Sequence, residues 1–312
     1  MHVEHRHLAR LMLGASGLGR RAESPGDEAV ARATARALVA SGRPIDTSNA
    51  YASGRSEQLL GRALRELPAA EAADAAARIV TKVDADPQTG RLDRERVLRS
   101  ADESLSRLGV DRIPLLHLHD PYSITFDEAC ARGGAIDALV ELRDSGVAGA
   151  IGIAAGPVPL VARYADIGVF DAVLVHNRWT LVDRSARALF ERASLQGMTV
   201  FNAAPFGGGL LARGAASGST YAYRPATEEL RRWVARVEAL SARHGVTLAA
   251  VALQFSLRAP FIHSTIVGAS SVRRITTLDD LADAVVPDEL WSELAAMPSA
   301  PTWIDDDQEE RR

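Results

Sequence analysis

An alternation repeated eight times constrains this chain more than any other feature. Short apolar runs rich in Val, Ile and Leu are each followed by a longer segment whose apolar residues recur at three- and four-residue steps. LARLMLG precedes DEAVARATARALVASG; RPIDTS precedes SEQLLGRALREL, with Ser56 expected as the N-cap before Glu57. RIVTK leads to DRERVLRSADESLSRLG, and IPLLHLH leads to GAIDALVELRDSG. AGAIGIA, FDAVLVH, MTVFNAA and FIHSTIV continue the series, and the seventh run is followed by two helical stretches, Glu229–His244 and Leu248–Arg258. Apolar strands separated by helices call for a parallel sheet covered by helices. Eight such units predict an α/β fold: one (β/α)8 TIM barrel with its active site at the C-terminal mouth. A doubly wound open sheet usually has fewer strands and a single Gly-rich first turn. No linker or composition shift divides the chain, so residues 1–312 are read as one domain, with 1–10 and 303–312 as flexible ends. Ala215–Thr220 reads as a surface loop and Val286–Leu294 as a last, outer helix.

Charge and composition narrow the functional classes. The net charge of −4 gives no sign of a nucleic-acid or anionic-membrane partner. No apolar run approaches the roughly 20 residues a bilayer span needs. The start, MHVEHRHLAR, lacks the apolar core of a secretory signal. The lone cysteine, Cys130, rules out an internal disulfide, and the expected compartment is the cytoplasm. A small-molecule partner is the remaining expectation; the sequence does not set the oligomeric state.

Four polar residues stand at or just past strand ends: Asp46 closing RPIDTS, Tyr51 five residues on, Lys82 ending RIVTK and His119 ending IPLLHLH. In a closed barrel these ends converge at one mouth. A carboxylate, a phenol, an amine and an imidazole together make a proton-transfer site for a carbonyl or an alcohol.

The contexts of these residues resemble the aldo-keto reductase family. DTSNAYASGRSEQLLGRALRE resembles its signature, and IVTKV, RSADESLSRLGVDRIPLLHLHDP, ELRDSGVAGAIGI and TIVGASSVRRI follow in its order. HLHDP, RWTLVD and AAPFGGGLL are similar to its aldose 1-dehydrogenase branch, which includes L-fucose and D-threo-aldose dehydrogenases. The resemblance implies an NAD(P)-dependent oxidoreductase acting on an aldose or another small polar carbonyl compound. It implies that Tyr51 exchanges the proton, that Lys82 favours the phenolate while Asp46 holds Lys82, and that His119 orients the reacting oxygen. The hydride belongs to the nicotinamide, because no side chain supplies one.

For the cofactor, NADP or NAD, the resemblance points to the loop after the eighth strand: Gly268, Ala269, Ser270, Ser271, Arg273 and Arg274. An arginine at Arg274 slightly favours NADP, while Gly268 and Leu278 stand where NADP-preferring relatives often keep Lys and Asn. Ala154-Ala155 replaces a Ser-Asn pair that holds the carboxamide in many relatives, and Ala203 replaces a stacking tyrosine. His176 or Asn177 is expected to take over the carboxamide contacts, with Phe206 or Trp179 packing the ring and Gly207 close to the cofactor. Trp179 and Tyr122 are the expected substrate-wall residues, with Phe206, His176 and the stretch 221–224 as further candidates.

Two other readings stay open at this point. One is a barrel that keeps the cofactor as a non-catalytic sensor or subunit. The other is a metal-dependent hydrolase using His117 and His119, which face the same side of their strand. LGASGLG has its glycines in the wrong order for a dinucleotide fingerprint and reads as a tight turn after the first strand.

Overall fold

The computed structural model describes residues 10–20, 24–215, 220–302, 304 and 306. The expected flexible ends and the expected loop at 215–220 lie largely outside these residues. Eight parallel strands close into a barrel in the order β1, β10, β7, β6, β5, β4, β3, β2, as the alternation predicts. They are β1 (Leu11–Gly14), β2 (Ile45–Asp46), β3 (Ile79–Val83), β4 (Leu116–His119), β5 (Ile151–Ala155), β6 (Ala172–His176), β7 (Thr199–Ala203) and β10 (Ser264–Gly268). Between β7 and β10, β8 (Thr220–Tyr221) and β9 (Arg224–Pro225) form a small antiparallel hairpin.

Helices follow each strand. In chain order they are α1 (Pro25–Ala40), α2 (Arg55–Arg65), α3 (Ala69–Ala76), α4 (Arg94–Leu108), α5 (Phe126–Cys130), α6 (Ala135–Asp144) and α7 (Val158–Ala165). They continue as α8 (Arg187–Leu195), α9 (Leu210–Arg213), α10 (Glu228–Arg243), α11 (Leu248–Leu257), α12 (Val272–Asp283) and α13 (Asp288–Ala296). Local chemistry sets several ends: the Asp93, Thr227, Thr247 and Ser271 side chains accept from backbone N–H groups in the first turns, and Gly109 closes α4 in a left-handed conformation. Ser56 is not the N-cap of α2. That place falls to Gly54, at φ +83°, while the Ser56 hydroxyl bonds Thr47 Oγ1 at 2.8 Å and the Ala15 carbonyl at 3.1 Å. A buried hydroxyl with two partners ties the turns after β1 and β2 together instead of capping a helix. Among the described residues no helix is long and apolar enough to cross a membrane.

Strand parity divides the side chains. Leu116 and Leu118 of β4 join the apolar layer under the helices, as do Val173 and Val175 of β6. Met12, Val80, Leu174, Phe201 and Ile266 fill the barrel interior. On four strands the inward position nearest the C-terminal end is polar: Asp46, Lys82, His119 and His176 border the mouth. His117 lies one step below His119, its ring edge-on to Phe201 and over Gly152.

The C-terminal segment is fastened to the mouth side of the barrel. Arg178, only 1% exposed, donates to Asp306 through Nε at 2.7 Å, and the same carboxylate accepts from the Val158 N–H at 2.9 Å.

Gly61 of α2 fixes how closely α2 meets α4, because a methyl group there would come 2.1 Å from the Arg107 carbonyl oxygen. On an exposed helix Gly→Ala gains up to about 1 kcal/mol. Here overpacking, about 1–3 kcal/mol, opposes and outweighs that gain. Gly61→Ala is therefore expected to lower stability in urea denaturation; a rise in the midpoint would show that the two helices separate freely.

Candidate active site

Lys82 is the centre of the site. Its ammonium is 1% exposed and donates to Asp46 Oδ1 at 2.7 Å, to the Thr47 carbonyl at 2.6 Å and to the Tyr51 hydroxyl oxygen at 3.2 Å. An ammonium has three N–H donors, and all three are used. Since Lys82 donates to the phenol oxygen, the Tyr51 O–H proton is directed elsewhere, and Tyr51 borders the cavity at the barrel mouth. The Tyr51 and His119 rings meet edge to face, 5.8 Å apart.

The loop that carries Tyr51 is held from behind. Ala52, Ser53 and Gly54 are consecutively left-handed, at φ +51°, +55° and +83°. Asn49 donates to the Ser100 carbonyl at 3.1 Å and to Glu103 at 2.9 Å, while Arg96 donates to Asn49 Oδ1 at 2.9 Å. Arg107 reaches the Asn49 carbonyl at 3.1 Å and the buried Glu57 carboxylate at 3.2 Å. A network of charged groups on α2 and α4 thus sets where the phenol stands, and its members satisfy one another.

His119 sits between two carboxylates. Its Nδ1 is 2.6 Å from Asp84 Oδ1, and its Nε2 is 3.5 Å from Asp120 Oδ2. Asp84 also accepts from the Ser48 hydroxyl and, at 3.0 Å, from the Ala50 N–H. Burial works against a charged imidazole, but the charges of Asp120 and Asp84 and the Asp84 hydrogen bond outweigh it and raise the His119 pKa. Asp84 moves the other way: burial favours its neutral form, and the His119 charge and the hydrogen bonds still bring it below the usual range.

Burial first, then the charges of Asp46, Asp84 and Asp120, push the Tyr51 phenol well above its usual range. The action expected of Lys82, favouring the phenolate, is directed against that shift. Asp46, 2.7 Å from the Lys82 ammonium, is the nearest balancing charge for that lysine, and its charge also leads those of Asp84 and Asp120 in raising the phenol. In the free protein Tyr51 is a neutral phenol, the form that donates a proton.

The cavity holds about 780 Å³, and its other end is basic. Arg274 and Arg213 both border it, and the Arg274 pKa is lowered, first by burial and then by the Arg213 charge. Two guanidiniums that repel each other in one cavity call for an anion between them. Ser271 caps α12 by accepting from the Arg274 N–H, and Gly268, Ser270 and Ser271 line the same wall. Gly208 and Gly209, at φ +76° and +116°, bring bare backbone to the cavity wall, Gly209 against the Arg213 guanidinium.

The other expected site residues are placed unevenly. Phe206, His176 and Tyr122 border the cavity, Phe206 beneath the Arg274 guanidinium and the Tyr122 hydroxyl accepting from the Gly156 N–H. Asn177 is enclosed, with φ +60°, and its amide lies 3.1 Å from His176 Nδ1, so it holds His176 from behind. Gly207 is covered by the Tyr221 ring, and Ala269 is buried with its N–H on the Gly14 carbonyl. Trp179 is not brought to the cavity: it stacks on Phe255 and meets Phe261 edge-on inside the outer apolar layer. His117 is enclosed, and burial, then Lys82 and His119, hold its pKa well below the usual range. No group of three or more His, Cys, Asp or Glu is placed to hold a metal among the described residues.

Sequence reasoning missed Ser48, Asp84, Asp120 and Arg213. Ser48 and Asp84 lie two residues past Asp46 and Lys82, so the period-two rule carried one step beyond each strand would have found them. Arg213 had no such signal, because its place depends on the path of a glycine-rich turn.

Comparison with known proteins adds to this geometry. The sequence profile described as the Aldo/keto reductase family matches residues 10–297. The chain is 35% identical to a D-threo-aldose 1-dehydrogenase of a Pseudomonas species over 65% of its length, a match spanning 62%, under two thirds, of that relative. It is 29% identical to the pyridoxal 4-dehydrogenase of Microbacterium luteolum, over 85% of this chain and 88% of that one. Among solved structures, a holo-form aldo-keto reductase from Bacillus halodurans shares the fold with a TM-score of 0.74 at 22% identity, covering 98% of this chain and 96% of the other.

Asp84→Asn removes a charge that raises the His119 pKa, so the His119 titration followed by NMR is expected to move to lower pH. A group with a raised folded pKa adds stability below its unfolded pKa, near 6.5, and loses it as pH rises through the folded value. The variant's stability should therefore depend less on pH in that window. An unshifted titration would mean that Asp84 does not act on His119.

Proposed function

The chain belongs to the aldo/keto reductase family, and we propose that it is a nicotinamide-dependent oxidoreductase of aldoses or other small polar carbonyl compounds, with Tyr51 as the proton donor and acceptor. The observation that carries this reading is the Lys82 ammonium bridging Asp46 and the Tyr51 oxygen at the barrel mouth. The names of two relatives, an aldose dehydrogenase and a pyridoxal dehydrogenase, support a substrate that is a sugar or a small carbonyl compound.

In the reducing direction the reacting oxygen lies against Tyr51 and His119. Tyr51 gives its proton to that oxygen as negative charge develops there, and Lys82 stabilises the phenolate left behind. His119, whose proton affinity Asp120 and Asp84 raise, hydrogen-bonds the same oxygen through Nε2 and fixes the angle of the carbonyl. Oxidation uses the same groups in reverse, with Tyr51 taking the alcohol proton.

The residues present fit a dinucleotide cofactor. Arg274, Arg213, Ser270 and Ser271 offer charge and hydrogen bonds to phosphates, and Gly208 and Gly209 leave room for it along the wall. Bound there, a nicotinamide ring supplies or accepts the hydride at the carbonyl carbon. Ala203 and Ala204 border the cavity, and their small side chains leave ring packing to Phe206 and His176. Arg274 favours NADP by matching a 2′-phosphate with its planar fork of donors.

Tyr51→Phe keeps the ring and removes the proton. Carbonyl reduction followed at 340 nm is expected to fall by about 10²- to 10⁴-fold, with cofactor binding retained; a loss of only a few-fold would end the proposed role of Tyr51. Arg274→Ala should raise the KM for NADPH by about tenfold or more, equivalent to ~1.4 kcal/mol, and change that for NADH far less. Equal effects on the two cofactors would assign Arg274 to a phosphate they share.

A further inference from the structure

Asp120 follows β4, and strand parity would turn it outward, away from the cavity. Instead its φ is +41°, a left-handed conformation rare for a side chain with a Cβ. The Asp120 N–H still donates to the Ala154 carbonyl at 2.9 Å, and its own carbonyl accepts from the Tyr122 N–H at 2.6 Å. The backbone therefore turns sharply while still bonded on both sides, and the carboxylate swings back over the mouth. Such a conformation is strained, and strain of this kind persists where the surroundings enforce it.

The carboxylate borders the cavity with 36% of its side chain exposed. Oδ2 is 3.5 Å from His119 Nε2, the atom proposed to hold the reacting oxygen, and Oδ1 is 3.9 Å from His176 Nε2. Burial favours the neutral acid, but the His119 charge, with His176 and Tyr122 close by, outweighs it and keeps the group ionised. An ionised carboxylate only accepts hydrogen bonds. A hydroxyl on the carbon next to a reacting carbonyl lies within one hydrogen-bond length of the reacting oxygen. Such a hydroxyl would meet Asp120 while the carbonyl oxygen is held by Tyr51 and His119.

We propose that Asp120 selects substrates bearing a hydroxyl on the carbon adjacent to the reacting one: 2-hydroxy aldehydes and, in ring form, aldoses with a free 2-hydroxyl. This rests on the oxidoreductase reading of the site. A charged acceptor that is partly open to water gives a preference of about 10- to 100-fold over the analogue lacking the hydroxyl.

The test compares lactaldehyde with propanal, which differ only in that hydroxyl, using NADPH and absorbance at 340 nm. The variants are Asp120→Gly, which suits the left-handed backbone and removes the carboxylate, and Asp120→Asn, which keeps a neutral acceptor; circular dichroism checks their folds. The wild-type protein is expected to favour lactaldehyde in kcat/KM by about 10- to 100-fold. Asp120→Gly should bring the ratio near one, and Asp120→Asn should fall between. If Asp120→Gly slows both aldehydes in equal proportion and only shifts the pH profile, Asp120 serves His119 alone and the assignment fails. It fails as well if the wild-type protein treats the two aldehydes equally. Turnover of neither aldehyde, nor of the corresponding alcohols with NADP or NAD, would overturn the oxidoreductase reading and this assignment together.

Discussion

The structure depends on one buried ammonium. Placing a charge inside a barrel carries a desolvation cost of several kcal/mol, offset only where geometry and hydrogen bonds are good. Lys82 meets that condition with a carboxylate at 2.7 Å, a backbone carbonyl at 2.6 Å and a phenol at 3.2 Å. Each partner comes from β2 or the loop after it, so the charge links β3 to that loop and sets its conformation. The three left-handed residues that follow Tyr51 are tolerated because Asn49, Arg96, Glu103 and Arg107 fix the same loop from the helix side. The reactive phenol is thus held between an internal charge and an external network, and neither leaves it much freedom.

The cavity is electrically divided. Asp46, Asp84 and Asp120 gather around the Tyr51 and His119 rings, and Arg213 and Arg274, close enough for one charge to act on the other, border the same cavity. The acidic end raises the proton affinity of both the phenol and the imidazole, which favours each as a donor to an oxygen. The basic end suits phosphates. A long ligand with an anionic part and a reactive carbonyl or ring would have only one comfortable orientation here, which is how charge supplies direction before any close contact forms.

Much of this could be read from the residues. Eight apolar runs alternating with helical segments fixed the fold class, because no other common arrangement covers that many parallel strands. Asp46, Lys82 and His119 were visible because a strand's end is visible, and Tyr51 because its neighbours resemble a known signature. Trp179 was misplaced for a physical reason: a large ring after a strand can turn either to the mouth or to the helix layer, and Phe255 and Phe261 offered the better packing. Asp120 escaped the period-two rule because one left-handed residue reverses it. The direction of the Tyr51 shift also escaped, since it depends on carboxylates whose distances no sequence states.

The contact between Arg178 and Asp306 bears on how the chain is made. Residues 178 and 306 are 128 apart, and Asp306 also bonds Val158, 148 positions earlier. During synthesis at about 5–20 residues per second, the segment after β6 emerges long before its carboxylate partner. The buried guanidinium must wait, solvated, until all eight barrel strands have been made. A ribosome-bound chain therefore has the strands of its barrel before it has the ion pair that closes this side of the mouth. Removing the Asp306 carboxylate would take that ion pair from the arginine while leaving all eight barrel strands in place.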